Sequence, residues 1–161
     1  MKHVIRWAAL ALLLMPAMVT AQDFEAGKAA YEAGDYATAL REWRPLAEQG
    51  DAAAQALLGI MYDSGQGVPQ DDAEAVKWYR LAAAQGYAKA QLNLGVRYGK
   101  GQGVPQDFIA AHMWFNISGA NGDSTAAVNR DKIAAMLSPA DLSTAQRSAK
   151  VCMASNYRDC D

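Results

Sequence analysis

Cysteine and histidine are nearly absent from this chain. Among 161 residues there are two of each. Both cysteines, Cys152 and Cys160, stand near the C-terminal end, so no cysteine framework runs through the body of the chain. No histidine or third cysteine accompanies the pair, which argues against a metal site. Past the N-terminal stretch the one histidine is His112. Without a second, neither a catalytic dyad nor a metal centre assembles on it. No serine has lysine three positions on, so a Ser-x-x-Lys nucleophile is missing. Basic clusters are missing too, and 17 acidic residues outnumber 15 basic ones. A nucleic-acid partner is therefore not expected. The one long apolar run, Trp7 to Met15, falls short of the ~20 residues a spanning helix takes. These absences leave no expected catalytic residue, metal or cofactor.

What is present begins with an export pattern. Lys2 and Arg6 precede the apolar run, and Val19-Thr20-Ala21 places small residues where a signal peptidase needs them. Residues 1–21 are expected to be a cleaved signal peptide, with Gln22 the first mature residue. No cysteine stands near that boundary, so a lipid anchor there is not expected. After cleavage no apolar run remains for stable membrane insertion. The protein is expected to be periplasmic or secreted. In that setting Cys152 and Cys160 read as a disulfide, worth about 2–3 kcal/mol in the chain-entropy model.

The body of the chain is a repeat. AQALLGIMYDSGQGVPQD, Ala54 to Asp71, recurs as AQLNLGVRYGKGQGVPQD, Ala90 to Asp107, 36 residues on. Repetition at 20–50 residues indicates a solenoid whose units bury their apolar faces on one another. Two helices fit in each unit. The first carries Ala54, Leu58 and Tyr62, then Ala90, Leu94 and Tyr98 in the next unit. Gly59 and Gly95 sit inside these helices, where Gly costs about 1 kcal/mol relative to Ala. A cost incurred twice at one phase predicts a close approach. The Gly-rich loops that follow lack a preceding strand and a Lys-Ser/Thr ending, so they read as turns rather than phosphate cradles.

Asp35, Asp71 and Asp107 share one phase and are expected to cap the second helices. Asp71 with Glu74 is close to a capping box. Trp43, Tyr79 and Phe115 follow in register, then Gly50, Gly86 and Gly122 as helix terminators. Phe24 to Gly50 thus forms a degenerate first unit with a tight Gly34 turn. Pro45, inside its second helix, is expected to kink it. From Ser124 the pattern lapses. Ala126, Ile133, Ala134 and Leu137 mark one helix. Ser138 and Pro139 start another, with Leu142, Ala145, Ala149, Cys152 and Met153 on its apolar face. This pair is expected to cap the open end of the stack.

Ala54, Gln55, Leu58, Gly59, Tyr62, Gly65, Gly67, Val68, Asp71, Ala75, Trp78, Tyr79, Ala82, Ala83, Gln85 and Gly86 resemble the Sel-one-like repeat, a subclass of tetratricopeptide-like α/α repeats. The second unit departs late, at Ser118, Gly119 and Asn121. The resemblance implies an all-α solenoid of stacked antiparallel helix pairs wound into a right-handed superhelix. The expected organisation is a tetratricopeptide-like pair over 22–51, repeats over 52–87 and 88–123, and a helical cap with a disulfide-bonded tail over 124–161. Family members act mostly as adaptors, often in bacterial envelopes. The expected function is therefore a non-enzymatic adaptor or scaffold whose partner is a protein or peptide of the cell envelope. Two alternatives stand beside it. One is an enzyme or binder directed at peptidoglycan or a β-lactam, and the other a periplasmic regulator of a membrane signalling protein. The motif supplies no binding residues. Positions free of it on the first helices, Leu57, Met61, Asn93, Arg97 and Lys100, are expected to line a mixed apolar and basic groove. The sequence sets no oligomeric state.

Overall fold

Three aspartates at one phase start three helices. In the computed structural model, which describes residues 21–160, Asp35 accepts from the backbone N–H of Thr38, Asp71 from Glu74, and Asp107 from Ile109 and Ala110. All but the last residue of the expected signal peptide, and Asp161, lie outside the described residues. The helices are α1 (Ala21–Glu32), α2 (Tyr36–Glu48), α3 (Ala52–Ser64), α4 (Asp72–Ala83), α5 (Ala88–Lys100), α6 (Phe108–Ala120), α7 (Ala126–Ala134) and α8 (Pro139–Ala154). No strand occurs among the described residues. Each helix from α1 to α6 packs on its chain neighbours, and α6 also takes both α7 and α8. The result is an all-α solenoid of stacked helix pairs.

The capping box is only half formed. The Asp71 N–H donates to the Tyr62 carbonyl instead, at 2.9 Å. Glu74 accepts from Lys77 Nζ at 2.6 Å. Helix α2 runs unbroken through Pro45, whose ring is exposed. Gly50, Gly86 and Gly122 all have positive φ, the conformation that ends a helix at no steric cost to glycine.

The glycines inside the first helices are sockets for aromatic rings. A Cβ on Gly59 would lie 2.5 Å from Tyr79 Cδ1, and one on Gly95 2.6 Å from Phe115 Cδ1. Gly27 plays the same part for Trp43, whose Cδ1 would be 2.7 Å away. Sequence reading anticipates a close approach at two of these glycines and misses the third. Trp43, Tyr79 and Phe115 are 0–3 % exposed, so each unit's second helix drives a ring into the backbone of its first.

Amide side chains tie successive units together. Gln55 Nε2 donates to the Ala47 carbonyl of the preceding unit at 3.0 Å, and Gln85 Nε2 donates to Gln55 Oε1 at 2.8 Å. One unit on, Gln91 Nε2 donates to the Ala83 carbonyl at 3.1 Å and Asn121 Nδ2 to Gln91 Oε1 at 2.8 Å. Asn121, a departure from the repeat pattern, thus keeps the donor that Gln85 supplies. Tyr157, again 36 residues on, donates its hydroxyl to Asn121 Oδ1 at 2.9 Å. The tail therefore closes the ladder. It is held there by the Cys152–Cys160 disulfide, with Cys152 fully buried on the inner face of α8. Ser138 caps α8 and Pro139 opens it, while Ala145 and Ala149 are fully buried.

Candidate functional site

The five groove positions expected from the sequence have different fates. Met61 is fully buried among Trp43, Leu46, Ala47 and Leu58. Arg97, at the same phase one unit later, is only 8 % exposed. Its Nη1 donates to Asp63 Oδ1 at 2.5 Å and lies 3.9 Å from Asp72 Oδ1. The expectation that Met61 and Arg97 stand open to a partner is thus corrected. A first helix in this stack is covered on two sides, by its own second helix and by the preceding unit. Their phase falls on the second of those sides. Asn93 is half-buried, Leu57 is half-buried, and Lys100 is exposed.

Arg97 sits in a small polar cluster inside an otherwise apolar stack. Asp63 lies on the preceding first helix, Asp72 opens α4, and the Tyr79 hydroxyl feels both Asp63 and Arg97. Burial above all pushes the Tyr79 pKa up, so the phenol stays neutral. Arg97 Nε, Asp72 Oδ1 and the Tyr79 hydroxyl have no hydrogen-bond partner among the described residues. The pair joins one unit to the next, with Arg97 buried and Asp63 keeping some solvent contact.

Lys100 belongs to a cleft. It runs between α5 and α7, over a floor from α6, with a volume of about 350 Å³. Gly95, Val96 and Gly99 of α5 form one wall, Ile133 and Met136 the other, and Phe108 and Phe115 the base. Small residues on α5 make the room: Gly95 is the socket for Phe115, and a Cβ on Gly99 would meet only Ala111 Cβ and Ile133 Cδ1, each at an ordinary 3.7 Å. Met136, just past the end of α7, is 64 % exposed. Lys100 and Lys132 flank the opening. Neither has a carboxylate within 4.0 Å among the described residues. Sequence reading locates Lys100, but not the α7 wall, because the repeat pattern lapses there. Leu57 lines a second groove, of about 410 Å³, with Phe24, Tyr31, Trp43 and Tyr87.

Catalytic furniture is sparse around these surfaces. His112 is 2 % exposed on α6. Burial, and then the positive charge of Arg130, hold its pKa below the ordinary histidine value. No group of three or more His, Cys, Asp or Glu side chains among the described residues is placed to hold a metal ion. No described helix is long and apolar enough to cross a membrane.

Stacked helix pairs with ring-in-glycine sockets and an amide ladder define an α/α-repeat solenoid. More particularly, the chain is a Sel1-like repeat protein. The Sel1 repeat model matches residues 52–87 and 88–123. Two solved structures are similar. One is c5321, a protective antigen present in uropathogenic Escherichia coli strains displaying an SLR fold. It is 27 % identical with a TM-score of 0.79 over 84 % of this chain and 31 % of its own. The other is a Sel1 repeat protein from Oxalobacter formigenes, 34 % identical with a TM-score of 0.64 over 66 % of this chain and 44 % of its own. The chain thus spans under half the length of either. No curated protein matches it. Sel1 repeats generally mediate protein–protein interaction, on a scaffold that is typically non-enzymatic.

Proposed function

We propose that this protein is a non-enzymatic adaptor of the bacterial cell envelope that holds a segment of another protein on the face carrying its first helices. The observation that carries the reading is the cleft between α5 and α7. It combines an apolar floor, an exposed methionine and two unpaired lysines on a repeat scaffold of a protein-binding family. Apolar floors with a few placed polar groups are the usual form of a binding site. Leu57 extends the surface at the other end, Asn93 lies between, and Lys100 is a contact residue at the cleft. Met61 and Arg97 serve the same surface from beneath, by fixing the units that carry it. The envelope setting rests on the export pattern of residues 1–21 and on the Cys152–Cys160 disulfide, since disulfides persist in oxidising compartments.

The test is capture from envelope extract. The oxidised protein is immobilised beside its Lys100→Glu/Met136→Asp variant. A discrete protein retained by the first and lost from the second supports the adaptor. Recovery of cell-wall fragments without protein overturns it.

A further inference from the structure

The cleft carries charge as well as apolar surface. Some basic side chains have carboxylate partners, Lys77 with Glu74, Lys89 with Asp123 and Arg130 with Asp131. Lys100 and Lys132 have none among the described residues, and neither do exposed bases elsewhere such as Lys28, Arg147 and Lys150; what sets the two apart is their shared place on one apolar cleft. Each lies in the last turn of its helix, where the helix dipole favours a cation. Their sign there needs no ligand. Their convergence on one apolar opening does, because that places two unneutralised charges at the rim of exposed hydrophobic surface.

We infer that this cleft takes an acidic, apolar peptide segment, with carboxylates against Lys100 and Lys132 and large apolar side chains against Phe108, Ile133 and Met136. The inference rests on the adaptor reading and names the chemistry of the partner. A cleft of about 350 Å³ is at the small end of ligand sites, which run ~300–1,000 Å³. It admits a few side chains but not the 10–12 Å cylinder of a whole helix. Met136 supplies an adaptable wall, since an unbranched thioether repacks around different apolar shapes. Complementary charge at the rim sets the encounter rate and the specificity more than the raw affinity.

The experiment uses the full chain, expressed for export and purified oxidised. The probes are a fluorescein-labelled Asp-Leu-Leu-Phe-Glu peptide, its Asn-Leu-Leu-Phe-Gln analogue, and sodium laurate. Anisotropy reports affinity, and the Met136 methyl resonance reports the place of binding. The acidic peptide is expected to bind about tenfold tighter than its amide analogue, and to lose that advantage in Lys100→Glu/Lys132→Glu or at high salt. Reversal at Arg147 and Lys150 on α8 is expected to leave binding unchanged. Equal binding of the two peptides overturns the inference, as does a Met136 resonance that stays still. Laurate that binds the cleft more tightly than the peptide also overturns it, making the site one for amphiphiles. A captured protein that depends on the cleft but shows no carboxylate preference sinks this inference and leaves the adaptor standing.

Discussion

Replacing Gly59 by alanine sets two physical effects against each other. Alanine gains about 1 kcal/mol over glycine in a helix interior. The new methyl, however, would lie 2.5 Å from Tyr79 Cδ1, far inside van der Waals contact. Tyr79 is fully buried, so its ring has no free space to move into. Overpacking of this kind costs typically 1–3 kcal/mol, and a ring with no escape belongs at or above the upper end. The expected net loss is about 2 kcal/mol, or a Tm lowered by roughly 4–8 °C at ~2–4 °C per kcal/mol. Urea unfolding followed by circular dichroism reads it directly, as a lower midpoint at an unchanged slope. Gly119→Ala is the control, because its Cβ would meet only Ala126 Cβ at an ordinary 3.8 Å. That change is expected to be neutral or stabilising. In a Tyr79→Leu background the Gly59→Ala penalty is expected to vanish, since the two sites are in contact and their effects do not add. A Gly59→Ala protein as stable as the control would refute the socket.

Other outcomes follow from the same packing. Arg97→Ala is expected to destabilise by about 1–3 kcal/mol, below the usual range for a buried pair because Asp63 keeps some solvent contact; Arg97→Met with Asp63→Ala, which imitates the Met61 environment, is expected to recover much of that in urea titration. Reducing the disulfide is expected to lower stability by about 2–3 kcal/mol and to raise hydrogen exchange around Tyr157 while sparing α3 and α4. Because the folded pKa of His112 lies below its unfolded value near 6.5, its neutral form is fully compatible with the fold above that pH. Stability is expected to fall as pH drops below about 6.5 and the unfolded chain takes up the proton first; thermal melts of His112→Leu are expected to lack this component.

The 36-residue register makes the second helices legible, because a capping aspartate and its buried aromatic recur at fixed offsets. Asp35, Asp71 and Asp107 cap as that register requires. Gly59 and Gly95 are legible as close approaches, yet the partner is an aromatic ring from the same unit, which spacing alone does not reveal. Gly27 escapes notice because the shorter Gly34 turn breaks its register with the other two. The candidate surface is less legible. Met61 and Arg97 look like free helix positions, because periodicity identifies one buried face and a stacked helix has two. Ile133, Lys132 and Met136 carry no repeat signal, since α7 lies past the last matched unit. Its wall of the cleft depends on where α6 places it, a tertiary fact with no local signature.

The amide ladder has a consequence for how such a molecule can be lengthened. Each unit brings its own ring and its own socket glycine, and the amide of each full unit asks of the unit before it a backbone carbonyl: Gln55 uses that of Ala47, and Gln91 that of Ala83. As far as the ladder goes, one repeat is therefore a plug that fits the next repeat's outlet. A further unit inserted between residues 87 and 88 would find a carbonyl waiting for its amide, would need to supply its own partners for Arg97 in place of Asp63 and Asp72, and would leave Tyr157 on Asn121 at the far edge. The face carrying the first helices would grow by one helix at a time while the α5–α7 cleft kept its walls, so the length of the stack and the chemistry of the cleft can be varied separately.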